Sequence, residues 1–528
     1  MSEALPVRRF ADVRAALLAK QEIALLDVRE EDPHAQAHPL FAANFPLSRI
    51  EITAYAKLPR RDVPIVVLDD GEGDAERAAR RLIALGYSDV AVLEGGVSGW
   101  QAAGGELFRD VNVPSKAFGE LVEAHRHTPS FSAEEVKALI DANTDVVIVD
   151  ARRFDEYQTM SIPTATSVPG AELVLRVPAL APNPKTQVIV NCAGRTRSII
   201  GTQSLVNAGL PNPVAALRNG TIGWTLAGQT LDRGQNRRFP EVNAAARQQA
   251  ATAARQVADR AGVGRIAPGV LADWQAQKGR TSYFFDVRTP EEYEAGHLPG
   301  FRPVPGGQLV QETEMVAPVR GARLVLVDDD GARANMSASW LAQMGWEVYV
   351  VDGLQGADFA QTGGCQPPLP ALPAVNEIAV PELAARLEAG NVTVIDITTS
   401  ANYLRGHIPG AWYARRDALA EALTAIPAAG LYVLTCATSL LAPFAVAELS
   451  GLVNGEVCVL SHGTQAWKKA GLPLESGATR LASAPIDRYR RPYEGTDNPR
   501  EAMQGYLDWE FGLVEQLGRD GTHGFFVI

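Results

Sequence analysis

Four segments of the chain repeat the same order of apolar runs and polar breaks. Each begins with an apolar run that ends in an aspartate, at Asp27, Asp150, Asp286 and Asp396. A second apolar run follows, then an alanine- and leucine-rich stretch, and then a third run that meets a glycine turn. Strands that alternate with helical segments predict βαβ units and a parallel sheet. The pattern therefore predicts an α/β protein with four tandem domains, each a small parallel sheet flanked by helices.

The length of the chain agrees with this repeat count. At ~150 residues per domain, a chain of 528 residues is expected to hold roughly three to five domains. The last segment breaks the repeat, and its stretch YLDWEFGLVEQL predicts an amphipathic helix docked on the domains. The predicted ranges are 1–110, 130–232, 264–365 and 376–475 for the domains, and 476–528 for a C-terminal extension.

The segments between the repeats differ in character. Polar, proline-containing stretches near 111–130 and 366–376 resemble linkers. Residues 241–260 are rich in alanine and other strong helix formers, which predicts a connecting helix. Ser132 followed by Glu135 resembles a capping box that opens the second domain.

Charge and cysteine content narrow the possible functions. The net charge is -12 and the pI is near 5.3, which argues against a nucleic-acid or anionic-membrane surface. Four widely spaced cysteines form neither a disulfide framework nor a CxxC metal site. The N-terminus does not resemble a signal peptide, and no apolar run approaches the ~20 residues that span a bilayer. These features predict a cytoplasmic protein in a reducing compartment.

The stretch VIVNCAGRTRSIIG, residues 188–201, concentrates the candidate chemistry. Cys192 ends an apolar strand, at the sheet edge where parallel folds bind ligands, and Ser198 opens the next helical pattern. The intervening loop predicts a cradle of inward-facing backbone N–H groups, with Gly194 giving the freedom such a turn needs. Nearby arginines and a helix N-terminus lower a thiol pKa from ~8.5 toward ~7 or below. Arg195 and Arg197 also offer donors for an oxyanion.

Other interpretations of this loop remain open from the residues alone. Cys192 could be a small buried hydrophobe, although two charged arginines in one short loop fit that poorly. Arg195 could point to solvent or pair with an acid instead of binding a ligand. A nucleophilic thiol beside an anion site fits attack on an anionic substrate that releases sulfite, phosphate or arsenite.

Several motifs together carry a family resemblance. The strand-ending Asp-x-Arg, the GHLPG and GHIPG turns at His297 and His407, the Cys192 loop and the EGGVSGW turn resemble those of rhodanese, the sulfurtransferase family. The resemblance covers nearly the whole chain as four rhodanese-like domains. It implies that Cys192 carries sulfane sulfur as a persulfide and that the loop binds the substrate. The implied substrate-binding residues are Ala193, Gly194, Arg195, Thr196, Arg197 and Ser198.

Aligning the second strands predicts which copies are active. The position of Cys192 falls on Asp70 in the first copy, on Asp329 in the third and on Cys436 in the fourth. An aspartate cannot carry a persulfide, so the domains at 1–110 and 264–365 are predicted to be inactive. The Cys436 loop lacks arginine and glycine, which predicts an inert thiol; a second sulfur acceptor is the alternative.

Residues near the loop receive supporting or structural roles. Asp150 and Arg152 are predicted to form an ion-pair network that ties the first strand to the loop, with direct substrate binding as the alternative. Trp224 is expected to pack in the core, and both Cys365 and Cys458 are expected to be structural.

The predicted activity is a ping-pong transfer from thiosulfate, or a related persulfide donor, to cyanide or a thiol. No metal or organic cofactor is implied. A cysteine-dependent phosphatase or arsenate reductase of the same fold is one alternative. The loop of such enzymes has the pattern Cys-x5-Arg, whereas only four residues separate Cys192 from Arg197 here, and this shorter loop favours sulfur transfer. The other alternative is a non-catalytic multidomain scaffold. The sequence leaves the oligomeric state and the physiological donor and acceptor open.

Overall fold

The computed structural model describes residues 4–528 and contains four parallel-sheet α/β units. In every unit the strands before and after the candidate loop position lie next to each other at the centre of the sheet. Within residues 4–528, no helix combines the length and apolar character needed to cross a membrane.

Domain 1 has the sheet order β1-β5-β4-β2, with β3 paired to β2. Its strands are β1 (Val7–Arg8), β2 (Ile23–Asp27), β3 (Ala43–Asn44), β4 (Ile65–Leu68) and β5 (Val90–Leu93). Its helices are α1 (Phe10–Leu18), α2 (Glu31–Gln36), α3 (Ile50–Lys57), α4 (Asp74–Ala84) and α5 (Gly96–Ala102). The helix α6 (Val113–Arg126) leads to domain 2.

Domain 2 has the sheet order β6-β10-β9-β7-β8. Its strands are β6 (Ser130–Phe131), β7 (Val146–Asp150), β8 (Thr166–Ser167), β9 (Gln187–Asn191) and β10 (Val214–Leu217). Its helices are α7 (Ala133–Asp141), α8 (Phe154–Thr159), α9 (Leu173–Leu180), α10 (Thr196–Asn207) and α11 (Gly220–Leu226). The predicted capping box opens α7, since Ser132 accepts from the Glu135 N–H at 3.2 Å and Glu135 accepts from the Ser132 N–H at 2.6 Å.

Domain 3 follows the predicted connecting helix α12 (Ala244–Arg260). Its sheet order is β11-β16-β15-β12-β13. Its strands are β11 (Gly264–Ile266), β12 (Ser282–Asp286), β13 (Arg302–Pro303), β14 (Val319–Arg320), β15 (Arg323–Val327) and β16 (Glu347–Val351). Its helices are α13 (Leu271–Ala276), α14 (Pro290–Ala295), α15 (Gly306–Gln311), α16 (Thr313–Val316) and α17 (Arg333–Gln343).

Domain 4 has the sheet order β17-β21-β20-β18-β19. Its strands are β17 (Glu377–Ile378), β18 (Thr393–Asp396), β19 (Trp412–Tyr413), β20 (Leu431–Thr435) and β21 (Glu456–Leu460). Its helices are α18 (Val380–Glu388), α19 (Ser400–Arg405), α20 (Leu419–Ala422), α21 (Ala442–Ser450) and α22 (Gly463–Lys469). The C-terminal extension carries α23 (Arg500–Phe511) and α24 (Leu513–Asp520).

Domain 3 adds one short strand to the sheet of domain 1, and the two domains share a hydrophobic core. Strand β14 of domain 3 pairs antiparallel with β2 of domain 1, with Val319 opposite Ala24. Leu26 of domain 1 and Phe285 of domain 3, both fully buried, belong to one apolar cluster. The apolar area removed from water by this cluster makes the two domains a single stable body.

Residues 111–130 are not the linker that their polar composition predicted. Residues 113–126 form α6, and the helix packs against α10 and α24 with most of its residues buried. Pro114 lies in the first turn, where a missing N–H costs no hydrogen bond, so the proline starts this helix instead of breaking a chain segment.

The C-terminal extension contacts all four domains in turn. Its backbone and side chains make at least one hydrogen bond to each domain. These bonds are Ser400 N–H to Asp487 at 2.8 Å, Arg491 to Glu31 at 2.8 Å, Arg500 to the Leu226 carbonyl at 2.7 Å, and Ile528 N–H to Gln343 at 3.0 Å. The extension, residues 476–528, therefore connects the four domains, and we call it the strap.

A buried lysine fixes the strap to α6. Lys116 donates to Asp110 at 2.6 Å and is only 2% exposed. Its ammonium lies 5.2 Å from the ring of Tyr493, 5.1 Å from that of Tyr506 and 5.6 Å from that of Trp509. Three aromatic faces and one carboxylate thus surround a desolvated cation, an arrangement that stabilises docking by cation–π attraction and ion pairing.

Removing the Asp110 charge should loosen the strap. In Asp110→Asn the ammonium of Lys116 stays buried without a counter-ion, so we expect a loss of about 3 kcal/mol in the local stability of α23 docking. Asn also tolerates the left-handed conformation of residue 110, where φ is 71°. Hydrogen exchange of α23 amides measures the effect. The control Asp141→Asn removes an exposed ion pair with Lys137 and should leave α23 exchange unchanged.

Candidate active site

Cys192 lies at the carboxyl end of the central strand β9, directly before α10. The start of α11 holds the loop from behind, since the Thr221 N–H donates to the Cys192 carbonyl at 2.9 Å and the Ile222 N–H donates to that of Ala193 at 3.0 Å. Gly220, with φ of 54°, sits so close that a Cβ there would lie 2.3 Å from the Cys192 carbonyl oxygen. The loop is therefore held rigidly by its neighbours.

The strand register corrects the predicted cysteine positions in two copies. Asp150 pairs with Asn191, the residue before Cys192. The equivalent pairs are Asp27 with Leu68 and Asp286 with Val327, so the residues that match Cys192 are Asp69 and Asp328. The predicted Asp70 and Asp329 each lie one residue too far. Runs of consecutive aspartates end both strands, and composition alone does not distinguish their members.

The two aspartate copies show what this loop geometry binds. The Asp69 carboxylate accepts from the N–H groups of Gly71 at 3.2 Å and Ala75 at 3.0 Å. The Asp328 carboxylate accepts from those of Gly331 at 3.0 Å and Ala334 at 2.8 Å. Each loop therefore places backbone donors around an acidic group at the position of Cys192, which is the predicted amide cradle.

In domain 2, the same position holds the thiol. Ser198 lies six residues after Cys192, as Ala75 and Ala334 do after their aspartates, and hydrogen bonding by Ser198 opposes the rise in the Cys192 pKa that burial causes. Ala193 and Thr196 are buried in the loop, and the Thr196 side chain contacts Gly119 of α6. Ala193, Thr196 and Ser198 thus lie with Cys192 in one buried loop.

Arg195 is fully engaged with protein groups. Its guanidinium donates to both carboxylate oxygens of Glu120 on α6, at 2.7 and 2.9 Å, and to the Asn219 side chain at 3.3 Å. Glu120 is 4% exposed and Arg195 is 9% exposed. Arg195 therefore joins the loop to α6 and α11, the ion-paired alternative considered from the sequence.

Arg197 forms a bidentate ion pair inside domain 2. Its terminal nitrogens donate to the two oxygens of Glu156 on α8 at 2.7 and 2.9 Å. Burial alone would raise the pKa of Glu156, but Arg197 outweighs it and lowers the pKa to about 2. Domain 3 repeats the pair, because Arg333 donates to Glu292 at 2.6 and 3.1 Å.

The predicted lowering of the Cys192 pKa is wrong for this closed structure. Burial raises the pKa of the thiol, which is 2% exposed, and Glu510 raises it further, against the opposing effects of Arg197 and Ser198. Both arginines beside the cysteine are paired with carboxylates, so the loop carries little net positive charge.

Asp150 and Arg152 form the predicted network. Arg152 donates to the two oxygens of Asp150 at 2.9 and 2.7 Å and to the Met160 carbonyl at 2.5 Å. The Asn191 side-chain amide donates to Asp150 at 3.0 Å, which ties β9 to this pair. Both charged residues are essentially fully buried, so their contacts are those of a structural clamp beneath the loop.

The fourth copy lacks this clamp. Thr398 stands where domain 2 has Arg152, and the Asp396 carboxyl keeps one buried oxygen without a partner within the described chain. Burial raises the pKa of Asp396 to about 7. Cys436 does match Cys192 in register, since Asp396 pairs with Thr435. The loop after Cys436 contains no arginine, so domain 4 has no counterpart of Arg197 beside its cysteine.

The C-terminal strap covers the Cys192 loop. Tyr506 and Glu510 of α23 lie so close to Gly194 that a Cβ there would be 3.0 Å from a Tyr506 ring carbon and 3.3 Å from the Glu510 Oε2. Gly194 does not have positive φ, so its role is close approach of the strap and not the backbone freedom that the sequence predicted.

A cleft opens beside the loop at the meeting point of three domains and the strap. It encloses about 600 Å³. Arg152 and Arg197 border it from domain 2, Met315 from domain 3, and Arg491 and Tyr493 from the strap. The lining also holds the carboxylates of Glu31, Asp155, Glu156, Glu312 and Glu494. Cys192 does not line the cleft, and Arg197 is the residue of its loop that does.

The remaining candidates have structural surroundings. Trp224 is fully buried, and its indole N–H donates to the Thr230 carbonyl at 2.9 Å. His297 and His407 stack on Tyr293 and Tyr403 in the turns of domains 3 and 4. Cys458 is buried in β21, whereas Cys365 is partly exposed.

Sequence reasoning missed the acidic partners of the loop. A spacing shared by domains 2 and 3 could have identified Glu156. In both domains a glutamate follows the Asp-x-Arg motif, as in Asp150 to Glu156 and Asp286 to Glu292, and an arginine lies 41 residues beyond that glutamate. Glu120 and Glu510 lie 75 and more than 300 residues from the loop residues they contact, and no local pattern marks them.

Comparison with known proteins agrees with the repeat and its geometry. The sequence profile of the rhodanese-like domain matches residues 11–103, 132–227, 268–353 and 379–470. The chain belongs to the rhodanese-like family. Each matched range lies inside one of the four predicted domain ranges.

The chain is similar over nearly its full length to a solved structure. The crystal structure of a thiosulfate sulfurtransferase from Pseudomonas aeruginosa is 69% identical, with a TM-score of 0.98. The match covers 99% of this chain and 100% of that one.

Two curated relatives match single domains. The HTH-type transcriptional regulator Rv0324 of Mycobacterium tuberculosis is 37% identical over 99 residues, or 18% of this chain and 43% of that protein. YibN of Escherichia coli K12 is 28% identical over 85 residues, or 16% of this chain and 59% of that protein. The chain thus spans about half the length of each of these relatives.

The burial of Cys192 predicts a protected thiol. In the intact protein at neutral pH, we expect a thiol alkylating reagent to modify the partly exposed Cys365 first and Cys192, Cys436 and Cys458 much more slowly. Peptide mapping by mass spectrometry after timed labelling measures the order, and labelling in denaturant is the control for intrinsic reactivity. Cys192 modified as fast as Cys365 would contradict the closed loop described above.

Proposed function

We propose that this chain is a thiosulfate sulfurtransferase. It moves sulfane sulfur from thiosulfate, or a related persulfide donor, to cyanide or a thiol through a persulfide on Cys192. The observation that carries the proposal is the position of the Cys192 thiol, which occupies the same site in an amide-lined loop where Asp69 and Asp328 hold carboxylates. The similarity to the Pseudomonas aeruginosa thiosulfate sulfurtransferase supports the choice of donor.

The first half-reaction charges the cysteine. Cys192 loses its proton and its thiolate attacks the outer sulfur of thiosulfate, forming a new S–S bond. The S–S bond of thiosulfate breaks, and its electron pair leaves with sulfite. The product is an anionic persulfide on Cys192.

The loop amides stabilise the charge on the sulfur. Residues Ala193 to Arg195 lead into α10, which begins at Thr196, and the backbone N–H groups and the dipole of a helix N-terminus favour negative charge there. Donors held in place before the reaction need no reorganisation when charge develops, which is the main source of catalysis in such sites.

The arginines divide their work. Arg197 borders the cleft and supplies positive charge to the sulfonate oxygens of the donor, while Glu156 holds its side chain in place. Arg195 positions the loop through Glu120 and Asn219 and does not bind substrate directly. Asp150 and Arg152 support the loop from below.

The second half-reaction returns the enzyme to its thiol form. Cyanide or a thiolate acceptor attacks the terminal sulfur of the persulfide, the Cys192 S–S bond breaks, and Cys192 recovers the electron pair as a thiolate. Domains 1 and 3 serve as inactive scaffold and domain 4 adds no sulfur carrier. The predicted cytoplasmic location belongs to this proposal.

Persulfide formation is directly measurable as mass. Intact-mass spectrometry after thiosulfate treatment should show a gain of ~32 Da on the wild type, reversed by cyanide, as expected for a covalent sulfur intermediate on an activated nucleophile. Cys192→Ser should show no gain, whereas Cys436→Ser should behave like the wild type.

Other outcomes separate the alternatives. A gain that survives in Cys192→Ser moves the chemistry to Cys436. No gain with thiosulfate or any persulfide donor contradicts the proposal, and hydrolysis of a phosphate ester or reduction of arsenate would then favour the related cysteine chemistry. Inactivity in all these assays would favour a scaffold.

Arg197 should be the cation that stabilises thiosulfate during sulfur transfer. Arg197→Gln removes positive charge beside the developing sulfite, so we expect kcat/KM for thiosulfate to fall by about 100-fold. Steady-state assays with cyanide as acceptor measure the change. Arg218→Gln, which removes an exposed arginine of the same domain that donates only to Ser130, is the matched control and should stay within twofold of the wild type.

A further inference from the structure

The C-terminal helix α23 brings an unexplained acidic side chain to the Cys192 loop. Glu510 is fully buried, and one of its oxygens, Oε1, accepts hydrogen bonds from the Tyr506 hydroxyl at 2.8 Å and from the Thr196 hydroxyl at 3.5 Å. The other oxygen, Oε2, has no hydrogen-bond partner among residues 4–528. A buried carboxyl oxygen without a partner costs desolvation energy, which a structural role alone does not recover.

The unpaired oxygen lies against the Cys192 loop. It lies 3.3 Å from the point that a Cβ on Gly194 would occupy, and Thr196, which contacts the same carboxyl group, is the first residue of α10. The ligand of this loop is an anion in every stage of the proposed reaction. A carboxylate beside an anion repels it, but a protonated carboxyl group donates a hydrogen bond to it.

We propose that Glu510 is a residue of the sulfur-transfer site, and that its protonated Oε2 donates a hydrogen bond to the anion held by the Cys192 loop. This inference rests on the proposed function and adds a component from outside the catalytic domain. The anion is thiosulfate before transfer and the terminal persulfide sulfur after it. Glu510 carries the proton through both stages and does not exchange it with the sulfur.

The surroundings of Glu510 favour the protonated form. Burial raises its pKa to about 8, and Glu120 adds to this effect, while Lys116, Tyr506 and Arg195 oppose it. The titratable and charged groups that face it come from three elements: Lys116 and Glu120 on α6, Cys192 and Arg195 in the loop, and Tyr506 on α23 itself. Arg195 is paired with Glu120 and Lys116 with Asp110, so a carboxylate already balances the charge of each of these two cations.

The sign of the pH dependence follows from these groups. Glu510 is protonated below about pH 8 and loses its donor above it, while the thiolate fraction of Cys192 rises with pH. In Glu510→Gln the side-chain amide donates at every pH. The ratio of variant to wild-type rate should therefore be constant below about pH 8 and rise by up to about tenfold per pH unit above it.

The experiment measures persulfide formation on the full-length protein in single turnover with thiosulfate, across the pH range, by rapid quench and intact mass. Glu510→Ala removes both the charge and the donor, so we expect it to be slower than the wild type by about tenfold or more at neutral pH. Glu515→Gln on α24 removes a solvent-exposed carboxylate that pairs with Arg519, and its ratio to the wild type should not change with pH.

Two further measurements test the role of Glu510 even if Glu510→Ala does not fold. Tyr506→Phe keeps the fold and removes the hydroxyl that lowers the pKa of Glu510, so the break in the wild-type profile should move to higher pH. Infrared difference spectra between the wild type and Glu510→Gln should contain the band of a protonated carboxyl group at neutral pH, lost above about pH 8.

The outcomes are distinguishable from those of the proposed function. A ratio for Glu510→Gln that is constant over the whole range, or a Glu510→Ala variant as fast as the wild type, overturns the role of Glu510 while leaving the persulfide mechanism intact. Absence of any persulfide on the wild type at every pH overturns the sulfurtransferase itself.

Discussion

In each domain, the loop after the central strand turns backbone N–H groups toward one point, as after β4, β9 and β15. These groups need an acidic partner, and the rest of the structure depends on how each domain supplies it. Amide donors that converge on one point are costly to bury unless an acceptor meets them. In domains 1 and 3 the chain itself provides the acceptor, as Asp69 and Asp328 show. In domain 2 a thiol stands there instead, and it becomes an anion only by losing its proton, after which either the thiolate or the persulfide can carry the charge.

Charge balance around this thiol differs from what the isolated loop indicates. A protein with a net charge of -12 has carboxylates available for every arginine near the site, and both loop arginines take one. Pairing makes their burial affordable, since an unpaired guanidinium inside the protein would cost several kcal/mol. The consequence is a thiol whose pKa burial raises in the closed structure. In the proposed reaction, the loop amides and Arg197 are the donors that favour the charged form of Cys192.

The sequence predicted the parts of the fold that have a local cause. The four repeats, the position of Cys192 after a central strand, the capping box at Ser132 and the helix within residues 241–260 all follow from periodicity or from short motifs. Runs of identical residues defeat this reasoning, which is why Asp70 and Asp329 were each one position off.

Long-range packing set the remaining limits. The helix at 113–126 has polar residues that become buried only because α10 and α24 pack against it, so composition alone made it resemble a linker. Gly194 has ordinary φ, and its need for a small residue comes from a ring more than 300 positions later in the chain. The contact between Glu510 and Thr196 has the same origin.

The strap explains why a single reactive loop would be built from four domains. Glu510 reaches the loop only because Lys116 on α6 anchors three aromatic rings of the strap, and the strap itself begins on domain 4 and crosses domain 1 before it arrives. Domains 1 and 3 are joined by the pairing of β14 with β2 and by a common hydrophobic core, and the strap packs on this joined body. Loss of the cysteine in these copies removes their own chemistry, yet their cores still determine where the carboxyl group and the cleft arginines lie. In the proposed function, the two aspartate domains therefore act through geometry, because the strap that covers the Cys192 loop packs on them.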